Sequence, residues 1–429
     1  MIRKLISIGI FLFLCGNVFA VSDSSLFEVI SLNKAVELSK KNNPTLLSAE
    51  QDIIIAKQRV KEARFMALPQ FSFAGTLTRL NLEYPMVLPQ EFGGRYLDNA
   101  ISDNFYALRA YAFQPIYTGG RNKSTFRIAQ TAHKEARVKY ETVTRDVVFD
   151  TKKAFYTLLF KKKILEISDF WGEQAKKISP KIKKDQWEAI EIKTFTSGLS
   201  SEREACEKDF RVTKMIFQKI MGRQTIPTLE ISGEFEINKV KIDRNTSLIT
   251  AMEMRSELKS EIYKAQIDEI AVNMAMIKSY PNIYLGASYD VVGYNTSSQN
   301  DVKSNNWIAS LAIKLPIPWD TWTQVTQRRA QQRKGDLKRS DLRDKIRFEV
   351  INANENLDFW QKESEKRKFI LLNIKKEYQD SINRNNLPMS ALRTLKEVSI
   401  FEKSYIESVY EQTMAKIKLE WAQGRDFIQ

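Results

Sequence analysis

Twice in this chain a helical pattern gives way, at a proline, to strict alternation. Residues 66–79 read MALPQFSFAGTLTR, and residues 278–292 read KSYPNIYLGASYDVV. Upstream of Pro69 the apolar residues are spaced for a helix. Downstream, Phe71, Phe73, Gly75 and Leu77 fall on one side, while Ser72, Ala74, Thr76 and Thr78 fall on the other. A soluble domain can pass from helix to strand in this way once. Two copies call for an architecture that repeats the joint, with Pro69 and Pro281 as the helix-to-strand transitions.

The surroundings are duplicated as well. Residues 31–68 place Leu32, Ala35, Val36, Leu38, Leu46, Leu47, Ala49, Ile53, Ala56, Val60 and Ala63 at helical spacing. The pattern is interrupted at Asn43-Pro44, because Asn before Pro disfavours helix while Pro suits a first helical turn. Residues 248–281 repeat the shape. After each proline come two alternating stretches parted by a polar loop, predicted as strands 71–82 and 105–113 in the first copy and 283–292 and 307–315 in the second. Each is close to the roughly nine to eleven residues that a tilted strand needs to cross a bilayer. Trp307, Ala309, Leu311, Ile313 and Leu315 form the cleanest apolar face. Tyr84, Phe105, Tyr111, Phe113, Tyr289, Tyr294, Trp307 and Trp319, crowded towards the ends of these stretches, suit an interfacial girdle. Pro115 and Pro316 punctuate the return to helix, in FQPIYTGGRN and KLPIPWDTWT.

Long helical patterns follow. Residues 122–195 contain only Gly172 and Pro180 as breakers and, at about 1.5 Å per residue, reach roughly 100 Å if largely continuous. A turn is expected at residues 197–201, with Gly198 left-handed and Ser200 capping a helix that runs to residue 222. The second copy reads as a helix over 324–384, a turn at Asn385-Asn386-Leu387-Pro388 and a helix to residue 424, with Asn in the left-handed place of Gly. On this reading the helix over 200–222 is noticeably shorter than its partner over 388–424. The chain thus divides into a first repeat over 21–222, a linker with minor strands over 223–245 and a second repeat over 246–429. The fold class is mainly α with transmembrane β.

Composition removes other classes. The 429 residues carry a net charge of +15, but the basic residues are interleaved with Glu and Asp along the helical stretches, as on solvated helix faces. No nucleic-acid-binding signature accompanies them. Residues 1–20, MIRKLISIGIFLFLCGNVFA, combine Arg3 and Lys4 with a short apolar run and Val18-Phe19-Ala20, which predicts an export signal cleaved after Ala20. Leu14 is bulky for the residue before an acylated Cys15, and cleavage leaves Cys206 as the only thiol. No later run of eighteen apolar residues exists to span a bilayer as a helix, so any membrane contact falls to the strands.

The quoted segments LNKAVELSKKNNPTLLSA, ARFMALPQFSF, QPIYTGGR, KAFYTLL and FTSGLSSEREA, followed by RSELKSEIYKAQ, SYPNIYLGASY and LAIKLPIPW, resemble in their order the TolC-like outer-membrane efflux proteins, over residues 31–424. The resemblance implies a homotrimer in which each protomer gives four strands to a twelve-stranded barrel in outer-membrane lipid, continuous with a long α-barrel in the periplasm. It implies an outer-membrane channel of a tripartite efflux or type I secretion system, working with a periplasmic adaptor (membrane fusion) protein and an inner-membrane transporter. The helix-turn-helix tips that dock the adaptor would be Gly198, Leu199 and Ser200 in one copy and Asn386, Leu387 and Pro388 in the other. Some members narrow the tip with a ring of Asp. Here residues 381–398 carry no acidic residue before Glu397, and Arg384, Ser390 and Arg393 become the residues of the tip pore.

An enzyme is not expected. His133 is the only histidine, beside Lys134, Glu135 and Arg137 in a helical stretch, which reads as a solvated surface residue. Gly93-Gly94 and Gly119-Gly120 lack a phosphate-loop context and read as turns. No cofactor, metal or nucleic-acid partner is expected. The competing class is a non-conducting coiled-coil structural or adhesive surface protein, which unbroken heptads would favour over paired hairpins.

Overall fold

The computed structural model describes residues 28–79, 104–179, 186–223, 229–235, 239–240, 243–296, 299–383 and 388–425. The export signal, Tyr84, Gly93-Gly94, Pro180, Arg384, Asn385, Asn386 and Leu387 lie outside them. In chain order the elements are β1 (Glu28–Ile30), α1 (Leu32–Asn42), α2 (Pro44–Phe65), β2 (Gln70–Arg79), β3 (Asn104–Thr118), α3 (Arg121–Ile178), α4 (Gln186–Ile220), β4 (Leu229–Ile231), α5 (Arg244–Met254), α6 (Ser256–Ile277), β5 (Asn282–Thr296), β6 (Gln299–Lys314), α7 (Thr321–Asn383) and α8 (Pro388–Gln423). Apart from β1 and β4, the first half repeats in the second.

Local chemistry sets the joints. Ser31 caps α1 by accepting from the Lys34 amide, Asn43 caps α2 by accepting from the Thr45 amide, and Pro44 fills the first helical position. Pro69 and Pro281 each stand immediately before a strand, as expected. Pro316 lies in the connection between β6 and α7. Pro115, expected at a strand-to-helix transition, is instead inside β3 at a register shift between Pro115 and Tyr117, where a missing donor costs no ladder bond. The turn out of β3 comes later, at Gly119 and Gly120, both with positive φ.

A second correction concerns the helical hairpin of the first repeat. Gly198, Leu199 and Ser200 are not in a turn but inside α4, which is 35 residues long. α3 stops at Ile178 and α4 starts at Gln186, so the two helices part before Gln186 rather than at Gly198. Gly198 is not among the described glycines with positive φ, and it has merely permitted a left-handed turn in sequence without adopting one. The expected mismatch in helix length disappears with it, since α8 has 36 residues.

Beyond the hairpins, α3 packs against α2, α4, α6 and α8, and α7 packs against α6 and α8. Near the strands the helices run side by side as α2, α3, α6, α7, and away from them as α4, α3, α8, α7. At about 1.5 Å per residue the 58 residues of α3 and 63 of α7 span roughly 90 Å each.

Each repeat has a core where its helices converge. In the first, Leu38, Phe155, Leu158, Leu159, Phe217 and Met221 pack against Ile30 of β1 and Leu229 and Ile231 of β4, a parallel pair of which the sequence reading anticipated only the linker partner. In the second, Ile346, Val350, Leu357, Ala415 and Leu419 pack around α5. The same backbone joint closes both. Gly222 (φ +69°) follows α4 and lies against Asn42, while the Asn43 amide donates to the Ile220 carbonyl at 2.9 Å. Gly424 (φ +73°) follows α8 and lies against Met254 and Arg255, while the Arg255 guanidinium donates to the Ala422 carbonyl at 3.2 Å.

Candidate channel wall and tip groove

The strands form one four-stranded antiparallel sheet in the order β2-β3-β5-β6. Its register aligns Phe71, Phe73 and Leu77 with Ala112, Ala110 and Tyr106, then with Ala287, Tyr289 and Gly293, and finally brings Ala309 and Trp307 into the same rows. Leu285, Leu311 and Ile313 continue this face. The face is apolar and uncovered: Phe73 is 85% exposed, Leu77 89% and Trp307 77%. Covering a Phe or Leu side chain is worth about 1.5–3 kcal/mol, so such a face is a strong drive towards an apolar environment. The alternation read around Pro69 and Pro281 is thus the partition of one sheet into two faces. Tyr111 and Phe113 depart from the expected girdle, because odd-numbered positions of β3 before the bulge belong to the other face. Trp319 and Trp322, both strongly exposed, stand just beyond β6.

The opposite face mixes small and polar residues, among them Ser72, Ala74, Thr76, Ser288, Asn306 and Ser310, with Tyr111, Phe113, Tyr284 and Ile308. At its middle Arg109 meets Asp290 directly across the β3–β5 pairing. The contact is two-pronged, with Nε to Oδ1 at 2.5 Å and Nη2 to Oδ2 at 3.2 Å. Sequence reasoning missed this pair. Its signal was present, since each residue sits at the polar parity of its strand and carries opposite charge. Within the protomer, β2 and β6 are the sheet's two edges, each paired on one side only.

At the far end of the helices, α4 and α8 lie abreast over α3. Arg393 makes a two-pronged ion pair with Glu191, both bonds 2.9 Å, and Lys403 pairs with Glu202 at 2.7 Å. The hydrogen bonds from Arg393 hold the Glu191 carboxyl below its ordinary range. Between the two bridges lies a groove of about 510 Å³ floored by Phe195, Leu199 and Leu392, with Gly198 at its side. Trp171, Leu392, Leu395 and Val398 form the core beneath. Trp187 and Ile190, near the start of α4, are exposed.

The structure therefore brings Gly198, Leu199 and Arg393 to one groove and leaves Ser200 exposed on α4 nearby. Pro388 is the first residue of α8, and Ser390 is half-buried in its first turn. Glu191 brings to Arg393 from α4 an acidic group that residues 381–396 do not carry, and it escaped notice because the turn was expected beyond it.

Between groove and sheet, Arg255 reaches Glu257 at 2.9 Å and Glu349 at 2.9 Å, and lies 4.7 Å over the Trp421 ring. Arg145 binds the same Glu257 at 2.7 Å. Burial pushes the Glu257 carboxyl up, but the charges of Arg255 and Arg145 outweigh it and leave the group below its ordinary value. These contacts tie α3, α6, α7 and α8 together. His133 proves half-buried rather than solvated, with Nδ1 shielded from solvent. Among the described residues no helix is long and apolar enough to cross a membrane, and no group of His, Cys, Asp and Glu is placed to hold a metal ion.

Residues 35–178 match the family model described as outer membrane efflux protein. No curated protein matches the chain. Among solved structures, the Campylobacter jejuni CmeC outer membrane channel is similar with a TM-score of 0.78 at 15% identity, over 92% of this chain and 85% of that one. The open-state Neisseria gonorrhoeae MtrE outer membrane channel aligns with a TM-score of 0.73 at 13% identity, over 92% and 89%. The outer membrane protein VceC of Vibrio cholerae aligns with a TM-score of 0.68 at 13% identity, over 92% and 96%. Residues 35–178 thus resemble the outer membrane efflux proteins in sequence, and 92% of the chain shares the fold of solved outer membrane channels.

Proposed function

We propose that this chain is the outer-membrane channel of a tripartite efflux or type I secretion system. The observation that carries the reading is the sheet: one uncovered apolar face, a second face of mixed and more polar character that holds its Arg109–Asp290 pair, and two edges paired on one side only, continuous with helices roughly 90 Å long. An open sheet cannot stand in hydrocarbon, because its edge donors and acceptors would go unsatisfied. Three copies joined β6 to β2 satisfy every edge and give a twelve-stranded barrel, apolar outside and polar within. The helices continue the wall into the periplasm, with the α4–α8 end furthest from the membrane. There the apolar groove between the Glu191–Arg393 and Glu202–Lys403 bridges, together with Trp187, offers a seat to the helical hairpin of a periplasmic adaptor, itself bound to an inner-membrane transporter. Asn386, Leu387 and Pro388 form the tip of the second repeat in this arrangement. The wall supplies a conduit and no chemistry.

The test is extraction from the outer membrane after export, followed by gel migration with and without heating and by conductance in planar bilayers. A heat-labile trimer with stable conductance is expected. Recovery with the inner membrane, or a detergent-stable monomer without conductance, would overturn the reading. Leu199→Asp should abolish crosslinking to the co-expressed adaptor while leaving trimers intact.

A further inference from the structure

The membrane-proximal sheet holds an ion pair that the wall does not need merely to cross a bilayer. Arg109 and Asp290 face each other on β3 and β5, the seam at which the two repeats join. Ala74 and Asn306 complete the row across the sheet, so the described charges at this level are one guanidinium and one carboxylate. The flanking rows of the same face carry Ser72, Tyr111, Ser288 and Ile308 on one side and Thr76, Ala107, Val292 and Ser304 on the other, none of them charged. The pair is unevenly presented: the Arg109 side chain is 49% exposed, whereas that of Asp290 is 12% exposed. A charge on the apolar side of such a sheet would carry a large penalty, and both groups keep to the side that the channel reading assigns to water.

We infer that the Arg109–Asp290 row is the charge filter of the barrel, a self-neutralised level that keeps passage weakly selective, with Asp290 cancelling a guanidinium that would otherwise face the lumen. The inference rests on the channel reading. Threefold repetition places three such pairs at one height, so losing one partner leaves a ring of three like charges. Rings of charged side chains are what set ion selectivity in pores. The cargo class that fits the native row is neutral or mixed-charge solutes, with no barrier of one sign.

The experiment measures the anion-to-cation permeability ratio of purified trimers in planar bilayers under a potassium chloride gradient. Asp290→Asn should raise the ratio and Arg109→Gln should lower it, each by about threefold or more at an ionic strength where the Debye length is about 10 Å. The double variant Arg109→Gln/Asp290→Asn should return close to wild type. A pair that only fixes strand register would not move the ratio in opposite directions. Asn306→Lys and Asn306→Asp add charge to the same row while leaving the pair intact, and should shift the ratio up and down respectively even if a single-partner variant fails to assemble. Conducting trimers in which the Asn306 variants and the single-partner variants keep the wild-type ratio would overturn the inference. Absence of conductance in the wild type would instead overturn the channel reading beneath it.

Discussion

Gly198 and Gly222 lie at the middle and just beyond the end of one helix, and the same substitution should act on them with opposite sign. Gly198 is helical, and a Cβ added there meets no atom within 4 Å. Gly198→Ala therefore gains only the helix preference of Ala over Gly, about 0.8–1 kcal/mol in favour of the fold. Gly222 holds φ +69°, and a Cβ there would stand 2.2 Å from the Asn42 carbonyl oxygen. The left-handed conformation alone costs a non-glycine residue about 1–2 kcal/mol. Relieving the contact means moving the α1–α2 corner, which breaks the Asn43–Ile220 hydrogen bond, worth about 1 kcal/mol. Gly222→Ala should then destabilise by about 2–3 kcal/mol. With an unfolding entropy of about 2.1 cal/mol/K per residue, each kcal/mol moves the midpoint of a chain this long by about 1 °C. Far-ultraviolet circular dichroism of detergent-solubilised trimers should show Gly198→Ala about 1 °C above wild type and Gly222→Ala about 2–3 °C below. If Gly198→Ala falls as far as Gly222→Ala, Gly198 occupies a left-handed turn after all, and the continuity of α4 is wrong.

Other outcomes follow from the same structure. Because Glu257 is held below its ordinary value in the fold, its stabilising contribution is complete above the unfolded carboxyl pKa of about 4.3 and is lost as pH falls through the lower folded value. Acid titration followed by Trp421 fluorescence should show a transition in that window that Glu257→Gln removes. Arg255→Met takes the guanidinium from Glu349 while Glu257 keeps Arg145, a loss of about 3 kcal/mol or more, and should lower the thermal midpoint at least as far as Gly222→Ala. Gly293→Val puts side-chain atoms into the Tyr106 ring, which lies only 2.1 Å from where a Cβ would stand, and should abolish heat-labile trimers on gels; normal trimers would mean that the β3–β5 register is different.

The joints were more legible than the tips. Pro69 and Pro281 sit at changes of hydrophobic period, a signal that depends on neighbours only a few residues away, and the strands duly begin at Gln70 and Asn282. Strand ends were less clear: β3 continues past Pro115, which reads as a break, to Thr118 beside α3, and β6 begins at Gln299 in a polar stretch without apolar alternation. The tip was misjudged because Gly198 permits a turn without requiring one, and α4 passes through it where Trp171, Leu392 and Leu395 offer partners to Leu199. Such partners come from 28 residues upstream and nearly 200 downstream, beyond any local pattern. Arg109 and Asp290 each show as a charge at the polar parity of a strand, but their meeting depends on the β3–β5 pairing across the two repeats. The export signal and the loop after β2 fall outside the described residues and remain expectations.

The twin closures at Gly222 and Gly424 show what fusing two repeats into one chain permits. A tube assembled from separate, identical repeats would carry the same side chain at every such corner. Here the backbone joint is kept while its donor has diverged, a neutral amide from Asn43 in one half and a guanidinium from Arg255 in the other. Only the second corner draws in carboxylates, Glu257 and Glu349 through Arg255, so acid should act on that corner and spare its counterpart. Carrying both repeats in one chain thus lets the two corners differ in their response to pH while the backbone joint they share stays the same.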